Sequence, residues 1–508
     1  MGLWTFYFLG KAYLYYRGYI RFEFLMNLLF ALFLVIPLKK KIPARRFLMA
    51  LRFVITLSAA FLLLWHETWF PPLLRAIRLL SETGGISPAY IARFLRDSVN
   101  VIEVSALALI LAICLFLNKR IVLTPLAFAA IISVPLLAAK DTTGNIGDYL
   151  ERFYDAESKR VVRLEAPPGT APDFDIIILH ICSLAWDDLR AVGLDKDDFL
   201  LRFDVIFTNF NTVSSYTNPS AIRLLRANCG QPRHKELYGE TRQECYVFDT
   251  FRSQGYQTYA AIDNDAPSYR FVEDIMAHGH ADRPVEIKDL PIRQYDFDTS
   301  PIYDDLAILT RWWDIRQRSS AKKAMLYMDI TTMHGGAHLA DDPQWWKKER
   351  SVLYREFGRR LFGNLDTFFK TLEASGKNFV VVFVPEHGMA LRGSSIQSPD
   401  IRDIPLPSIT TAPVGIKLIG EGISPLPEQQ VTISKPTSYM AISHLLSSFV
   451  SAPRFGRDSM LSKDIVDAIP ETKFVAENEV SLVVRKDNDV YYFGKEKKWI
   501  KLPESALK

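Results

Sequence analysis

The stretch Phe379-Val380-Val381-Val382-Phe383-Val384-Pro385-Glu386-His387-Gly388 decides how this chain is read. Six consecutive aromatic and β-branched residues predict a strand buried on both faces, as in the parallel sheet of an α/β protein. The strand stops at a carboxylate beside an imidazole. In open α/β sheets ligands bind beyond the carboxyl ends of the strands, so the pair predicts a metal site at that point. The plain alternative is a strand exit with two solvated polar residues, because a dipeptide alone is a weak motif.

Three further apolar runs end in reactive residue types. Ile176-Ile177-Ile178-Leu179-His180-Ile181 leads to Cys182. Val205-Ile206-Phe207 leads through Asn209 and Asn211 to Tyr216-Thr217-Asn218-Pro219. Ala324-Met325-Leu326-Tyr327-Met328-Asp329-Ile330 leads to His334 and His338. Strands, polar loops and amphipathic helices alternate through residues 173–508, which predicts an α/β domain with a mostly parallel central sheet. Each end has an ordinary reading. Cys182 fits a core thiol, His334 a loop histidine, and Thr217 a helix N-cap before Pro219. Four such ends together argue for one shared site.

Zinc accepts thiolate, imidazole and carboxylate ligands, and its catalytic sites keep one position open. Cys182, Glu386 and His387 supply three ligands, and the hydroxyl of Thr217 suits the fourth position. Coordination to a dication brings a threonine alkoxide within reach, and a helix N-terminus at Thr217 favours phosphate. His334 and His338 suit proton transfer. Arg402 suits neutralising a phosphate, whereas Arg223 and Arg226 read as helix-surface or structural residues.

Hydrophobic residues make up 49% of the 508, and they are unevenly spread. Residues 3–20, 23–38, 47–65, 101–117 and 121–139 are long apolar stretches that predict an N-terminal membrane domain, residues 1–140, of about five transmembrane helices. The first stretch contains Lys11 and Arg17, which reads as a spanning helix with snorkelling cations or an interfacial helix. No small-residue cleavage site follows it, so it is not read as a removed signal peptide. Lys39, Lys40, Lys41, Arg45 and Arg46 in one loop, and Lys119 and Arg120 in another, predict cytoplasmic loops. Everything after about residue 140 then lies outside. Residues 66–100 fall outside too, and their apolar spacing predicts a helix on the membrane surface. Residues 141–172 read as a linker carrying Pro167-Pro168-Gly169, and residues 479–501 as a small β-meander. The net charge of +4 is too small to argue for nucleic acid. Of the four cysteines, Cys114 is a filler inside an apolar stretch. Cys229 and Cys245 form the natural disulfide pair of an oxidising compartment, which leaves Cys182 unpaired and in need of a reason.

These residues resemble a known family. His180-Ile181-Cys182-Ser183-Leu184, Asn209-Phe210-Asn211, Ser215-Tyr216-Thr217, Ala221-Ile222-Arg223-Leu224-Leu225-Arg226-Ala227, Cys229-Gly230-Gln231, Pro385-Glu386-His387-Gly388 and Arg402-Asp403-Ile404-Pro405 resemble the membrane-anchored phosphoethanolamine transferases of the alkaline-phosphatase/sulfatase superfamily. Among these they resemble the enzymes that modify cellulose. Most relatives have a carboxylate where this chain has Cys182. The resemblance implies an alkaline-phosphatase-like catalytic domain in the periplasm, anchored in the bacterial inner membrane by a multi-pass helical domain. It implies Zn2+ held by Cys182, Glu386 and His387, a hydroxyl nucleophile at Thr217 and a catalytic histidine at His334. It also implies phosphatidylethanolamine as donor, cellulose as acceptor, and cellulose synthase complex subunits as partners. The cellulose-modifying pattern has serine at position 217; lipid-A-modifying relatives use threonine. Threonine also argues against a sulfatase, which needs a cysteine or serine that becomes formylglycine. The residues themselves leave open another acceptor such as lipid A, a glycerol phosphate head group, or a non-catalytic subunit of a polysaccharide synthase.

Overall fold

A computed structural model describes residues 2, 4–37, 45–70, 73–74, 77, 88–137, 145–165, 171–264, 270–453, 455, 463–495 and 497–507. The apolar stretches of the N-terminal region form helices: α1 (Trp4–Tyr16), α2 (Phe24–Val35), α3 (Arg45–Glu67), α4 (Pro88–Ser98), α5 (Val101–Leu117) and α6 (Thr124–Leu137). Each of the five predicted spans overlaps one of them. Among the described residues only α3, over Arg46–Glu67, is long and apolar enough to cross a hydrocarbon core by itself, so helix length does not carry the count of five. Leu25, Phe33, Phe53, Phe61, Leu109 and Phe116 are exposed along these helices, a surface suited to hydrocarbon rather than water.

Lys11 corrects one expectation. It does not snorkel: it is 2% exposed, paired with Glu67, and donates to Asn27 Oδ1 at 2.6 Å. Burial of an ammonium is tolerable only with such partners. Arg17, more exposed, pairs with Glu103 at 2.8 Å. The loop Lys39–Lys41 and much of the segment 66–100, including Pro71-Pro72, Leu79 and Leu80, lie outside the described residues. The segment's described helix, α4, leans on the C-terminal domain. Its Tyr90 packs on Phe297 at 5.7 Å between ring centroids, and Arg93 lies over Trp345.

The C-terminal domain is built on fourteen described strands. They are β1 (Asp175–Ile181), β2 (Val205–Asn211), β3 (Tyr256–Ile262), β4 (Ile292–Tyr295), β5 (Pro301–Tyr303), β6 (Lys323–Ile330), β7 (His338–Leu339), β8 (Phe379–Pro385), β9 (Thr411–Ile419), β10 (Val431–Ile433), β11 (Val475–Glu477), β12 (Leu482–Lys486), β13 (Asp489–Phe493) and β14 (Trp499–Lys501). Seven of them form the central sheet in the order β10-β2-β9-β8-β1-β6-β3. Only β9 runs antiparallel to its neighbours, so the sheet is mixed but mostly parallel, as expected. β1 and β8 are buried along their whole length. Alternate residues feed the two sides: Leu179 and Phe383 pack into one core, Ile178 and Val382 into the other.

Register then fixes the site. Ile181 lies opposite Ile330 on β6 and Pro385 on β8, so three strands end level. Two backbone bonds tie the ends together, Cys182 N–H to Ile330 O and Glu386 N–H to Ile181 O, both at 2.8 Å.

The stretch 141–172 is more than a linker. It contains α7 (Ile146–Ser158), whose Ile146, Leu150, Phe153 and Tyr154 share one helix face and pack on Val484 and Tyr491 of the four-stranded sheet β11-β12-β13-β14. Pro167-Pro168-Gly169 lies outside the described residues. The predicted β-meander is present as β12–β14. Cys229 and Cys245 are disulfide-bonded, and Cys114 and Cys182 are free and buried. Arg223 and Arg226 are buried rather than on the helix surface.

Candidate active site

Four chain segments converge beyond the ends of β1, β6 and β8. Cys182 follows β1, and Glu386-His387 follows β8. Thr217 begins α8 (Thr217–Leu225), one place after the N-cap Tyr216. Cys182, Glu386 and His387 are wholly buried, and their ligand atoms lie within 4.8 Å of one another. Thr217 Oγ1 is 3.7 Å from Cys182 Sγ, and Glu386 Oε2 is 3.5 Å from His387 Nε2.

The surroundings aim these atoms inward. His387 Nδ1–H donates to Gly388 O at 3.0 Å, which leaves Nε2 with its lone pair free. Ser220 Oγ donates to Glu386 O at 3.1 Å and anchors that loop to α8. Ser183 has a left-handed backbone, φ +58°, so the chain turns sharply after Cys182; such strain persists only where its surroundings hold it. Here Arg402 holds it, donating to Ser183 Oγ at 2.9 Å. Gly388 has no room for a side chain: a Cβ would stand 2.5 Å from Asp188 Oδ2. That carboxylate accepts N–H bonds from Met389 and Leu391. Burial pushes Asp188 up to about 7.

Burial opposes charge on every member of the set. It pushes the Cys182 thiol well up, helped by Glu386, and the Glu386 carboxyl well up, helped by Asp329. It pushes His387 well down, helped by Arg402. Both Glu386 oxygens and His387 Nε2 lack hydrogen-bond partners. Orphaned buried polar atoms of this kind are costly. A thiolate, a carboxylate and a neutral imidazole nitrogen around one point are the donor set of zinc, so the residues fit that ion.

A cavity of about 80 Å³ opens beside the cluster, lined by Cys182, Thr217, Asn218, Asp296, Asp329 and His334 among others. His334 is therefore where the sequence predicted. Its Nδ1–H donates to the buried Asp296 carboxylate at 2.8 Å, leaving Nε2 as the proton-exchanging nitrogen. His338 does not line the cavity. It sits in β7 with its ring stacked on Trp345 at 4.4 Å between centroids, and aromatic packing holds it there. Arg402 does not line the cavity either; its guanidinium stands 3.3 Å from His387 Nδ1, whose proton goes to Gly388 O, so the two are not hydrogen-bonded.

Sequence reasoning assigned no role to Asp296, Asp329 or His180. Asp296 lies 38 residues before His334, in a turn with no local signature. Asp329 and His180 sit inside apolar strand runs, where a lone polar residue was the only available signal.

Comparison with known proteins gives consistent relatives. Residues 4–136 match the family model described as the cellulose biosynthesis protein BcsG N-terminal domain, and residues 134–499 the corresponding C-terminal domain. The chain is 31% identical to the cellulose biosynthesis protein BcsG of Escherichia coli K12, over 99% of this chain and 96% of that one. It is 32% identical to that of Salmonella typhimurium, with the same coverage. Among solved structures, a Vibrio parahaemolyticus protein of the alkaline phosphatase superfamily matches 70% of this chain and 87% of its own, at 15% identity and TM-score 0.45. The lipooligosaccharide phosphoethanolamine transferase A of Neisseria meningitidis matches 78% and 82%, at 13% identity and TM-score 0.41.

Proposed function

The chain belongs to the BcsG family of cellulose biosynthesis proteins, and on that premise we propose that it is a zinc-dependent phosphoethanolamine transferase. Its donor is phosphatidylethanolamine and its acceptor is a glucosyl hydroxyl of cellulose. One observation carries the reading. The unpartnered Glu386 oxygens and His387 Nε2 face Cys182 within ligand distance of one point, beside the hydroxyl of Thr217.

Cys182, Glu386 and His387 would hold the zinc; when bound, it lowers the pKa of a neighbouring hydroxyl and offsets charge on phosphoryl oxygens. Thr217 Oγ1 attacks the phosphorus of the lipid. A new P–O bond forms to Thr217, the bond to the glycerol oxygen breaks, and the proton lost by Thr217 ends on the departing diacylglycerol. His334, oriented by Asp296, takes the Thr217 proton on Nε2 and gives it to that oxygen. It then takes the proton of the incoming sugar hydroxyl, which attacks phosphothreonine; the P–O bond to Thr217 breaks and the proton passes to Thr217. Arg402 keeps the Ser183 turn in place.

A lipid donor suits a chain with an apolar helical N-terminal region, which we place in the bacterial inner membrane as a multi-pass anchor, with the α/β domain in the periplasm. The disulfide between Cys229 and Cys245 fits that oxidising compartment. The anchor also suits docking on cellulose synthase complex subunits. Mass spectrometry of the protein turning over is expected to find a phosphoethanolamine adduct on Thr217. Solid-state NMR of the cell-surface polysaccharide from a deletion strain is expected to lose the phosphoethanolamine signal. An unchanged polysaccharide with modified lipid A lost instead would redirect the acceptor.

A further inference from the structure

We propose that His180, Tyr327 and Asp329 form a buried brace that fixes the orientation of Glu386 as a metal ligand. Metal affinity then depends on side chains behind the ligand set. The inference rests on the zinc reading given above.

His180 stands two residues before Cys182 on β1, so both side chains leave the same face of the sheet. Tyr327 and Asp329 stand likewise on one face of β6, and His180 is in register with Asp329. His180, Tyr327 and Glu386 are completely buried, and Asp329 is 1% exposed. His180 Nδ1 lies 2.9 Å from the Tyr327 hydroxyl, 3.1 Å from Asp329 Oδ2 and 3.4 Å from Glu386 Oε1. The Tyr327 hydroxyl donates to the same Asp329 oxygen at 3.0 Å. The Nδ1 edge of His180 thus faces three oxygens, bonded to Tyr327 and Asp329 and packed against Glu386 Oε1 without a hydrogen bond, and the tyrosine closes the triangle from the other side.

Glu386 is the member of this group that also reaches the ligand cluster. Its Oε1 faces His180, so Oε2 is the oxygen turned toward His387 Nε2. An unbraced carboxylate rotates and presents either oxygen, and loses rotamer entropy when a metal fixes it. The brace removes that freedom beforehand. The ligand atoms of His180, Asp329 and Glu386 are close enough to admit a second ion. The Tyr327 hydroxyl argues for hydrogen bonds instead: it bonds both Nδ1 and Oδ2, and a neutral phenol is outside zinc's usual ligand set.

The test uses the full-length protein in detergent. Zinc stoichiometry is read by atomic emission, affinity by competition with a chromophoric chelator, and ligand geometry by the visible spectrum of the cobalt-substituted protein. His180→Leu and Tyr327→Phe are expected to weaken zinc by about 10–100-fold, the usual loss for an outer-sphere partner, and to shift the cobalt spectrum. His180→Asn keeps an N–H near the place of Nδ1 and is expected to bind close to wild type. Tyr327→Phe keeps the ring, so it reports on the hydrogen bond even if His180→Leu does not fold. Unchanged affinity and spectrum in Tyr327→Phe and in folded His180→Leu would overturn the brace. So would two zinc ions per wild-type chain with one lost in His180→Leu. Wild type that binds no zinc would overturn the function proposed above as well.

Discussion

Lys11, Asn27 and Glu67 in the N-terminal helices, and Cys182, Glu386 and His387 at the strand ends, are both polar clusters shut away from water. They differ in what completes them. Lys11 pairs with Glu67 and donates to Asn27, Asn27 donates to Glu67, and the Glu23 N–H donates to Glu67 Oε1 at 2.8 Å. Charge closes within the group: Glu67 Oε1 takes the hydrogen bonds, and Oε2, which has none, is the oxygen paired with the Lys11 ammonium. At the strand ends two carboxylate oxygens and an imidazole nitrogen have no partner, and nothing cationic in the ligand set balances a thiolate and a carboxylate. Burial alone therefore does not mark a site. A buried polar group with every partner present holds helices together; one with its partners missing is built to take a ligand.

The contrast can be broken at several points. Thr217→Ala should abolish transfer while zinc stays bound, since it removes the attacking oxygen and none of the three protein ligands. A radiolabelled or fluorescent phosphatidylethanolamine assay beside zinc analysis checks both halves. Retained transfer would remove Thr217 from the mechanism.

Chelation should abolish activity and lower the melting temperature, and the melting difference should widen as pH rises. The sign follows from the raised Cys182 and Glu386 values. The metal-free fold keeps protons there that the unfolded chain releases. Its stability from these groups is therefore full below their ordinary values and declines as pH climbs toward the folded ones. Metal displaces those protons, so zinc affinity falls as pH falls. His387 is pushed the other way and stays neutral across the neutral range. A pH-independent difference in melting temperature between pH 6 and 8 would contradict this.

The closed cluster should respond differently. Lys11→Met alone leaves Glu67 buried without its cation, at a cost on the order of 3–5 kcal/mol, whereas Lys11→Met with Glu67→Leu should recover much of it. Thermal unfolding in detergent distinguishes the two. Replacing Cys229 and Cys245 with serine opens a loop of sequence separation 16 and should cost about 3 kcal/mol with little change in zinc content. The smallest effect is expected at His338: His338→Gln should leave the rate within a few-fold of wild type, because the ring is stacked on Trp345 outside the cavity.

Much of the domain was legible along the chain. Buried parallel strands require unbroken apolar runs, so β1, β6 and β8 stand out, and a ligand at a strand end is adjacent in sequence to the run that carries it. Cys182, Glu386 and His387 stand out for that reason, whereas Thr217 lies beyond β2 at the start of α8 and stands out through Pro219. α7 was missed as structure because its apolar face is short and flanked by polar residues, so it reads as linker until the β11–β14 sheet supplies the surface it covers. His338 follows the same apolar run as His334, yet β7 turns it toward Trp345.

The sequence by itself determined most of the elements, the long apolar stretches of the N-terminal region and the residue chemistry at the strand ends, because these follow from local periodicity and residue type. Only the tertiary structure decided which strand ends are level and which polar atoms are left without partners. It also decided that Asp296 orients His334 and that His180, Tyr327 and Asp329 stand behind Glu386. Register and packing between segments far apart in the chain set those relations, and neither leaves a mark on any one segment.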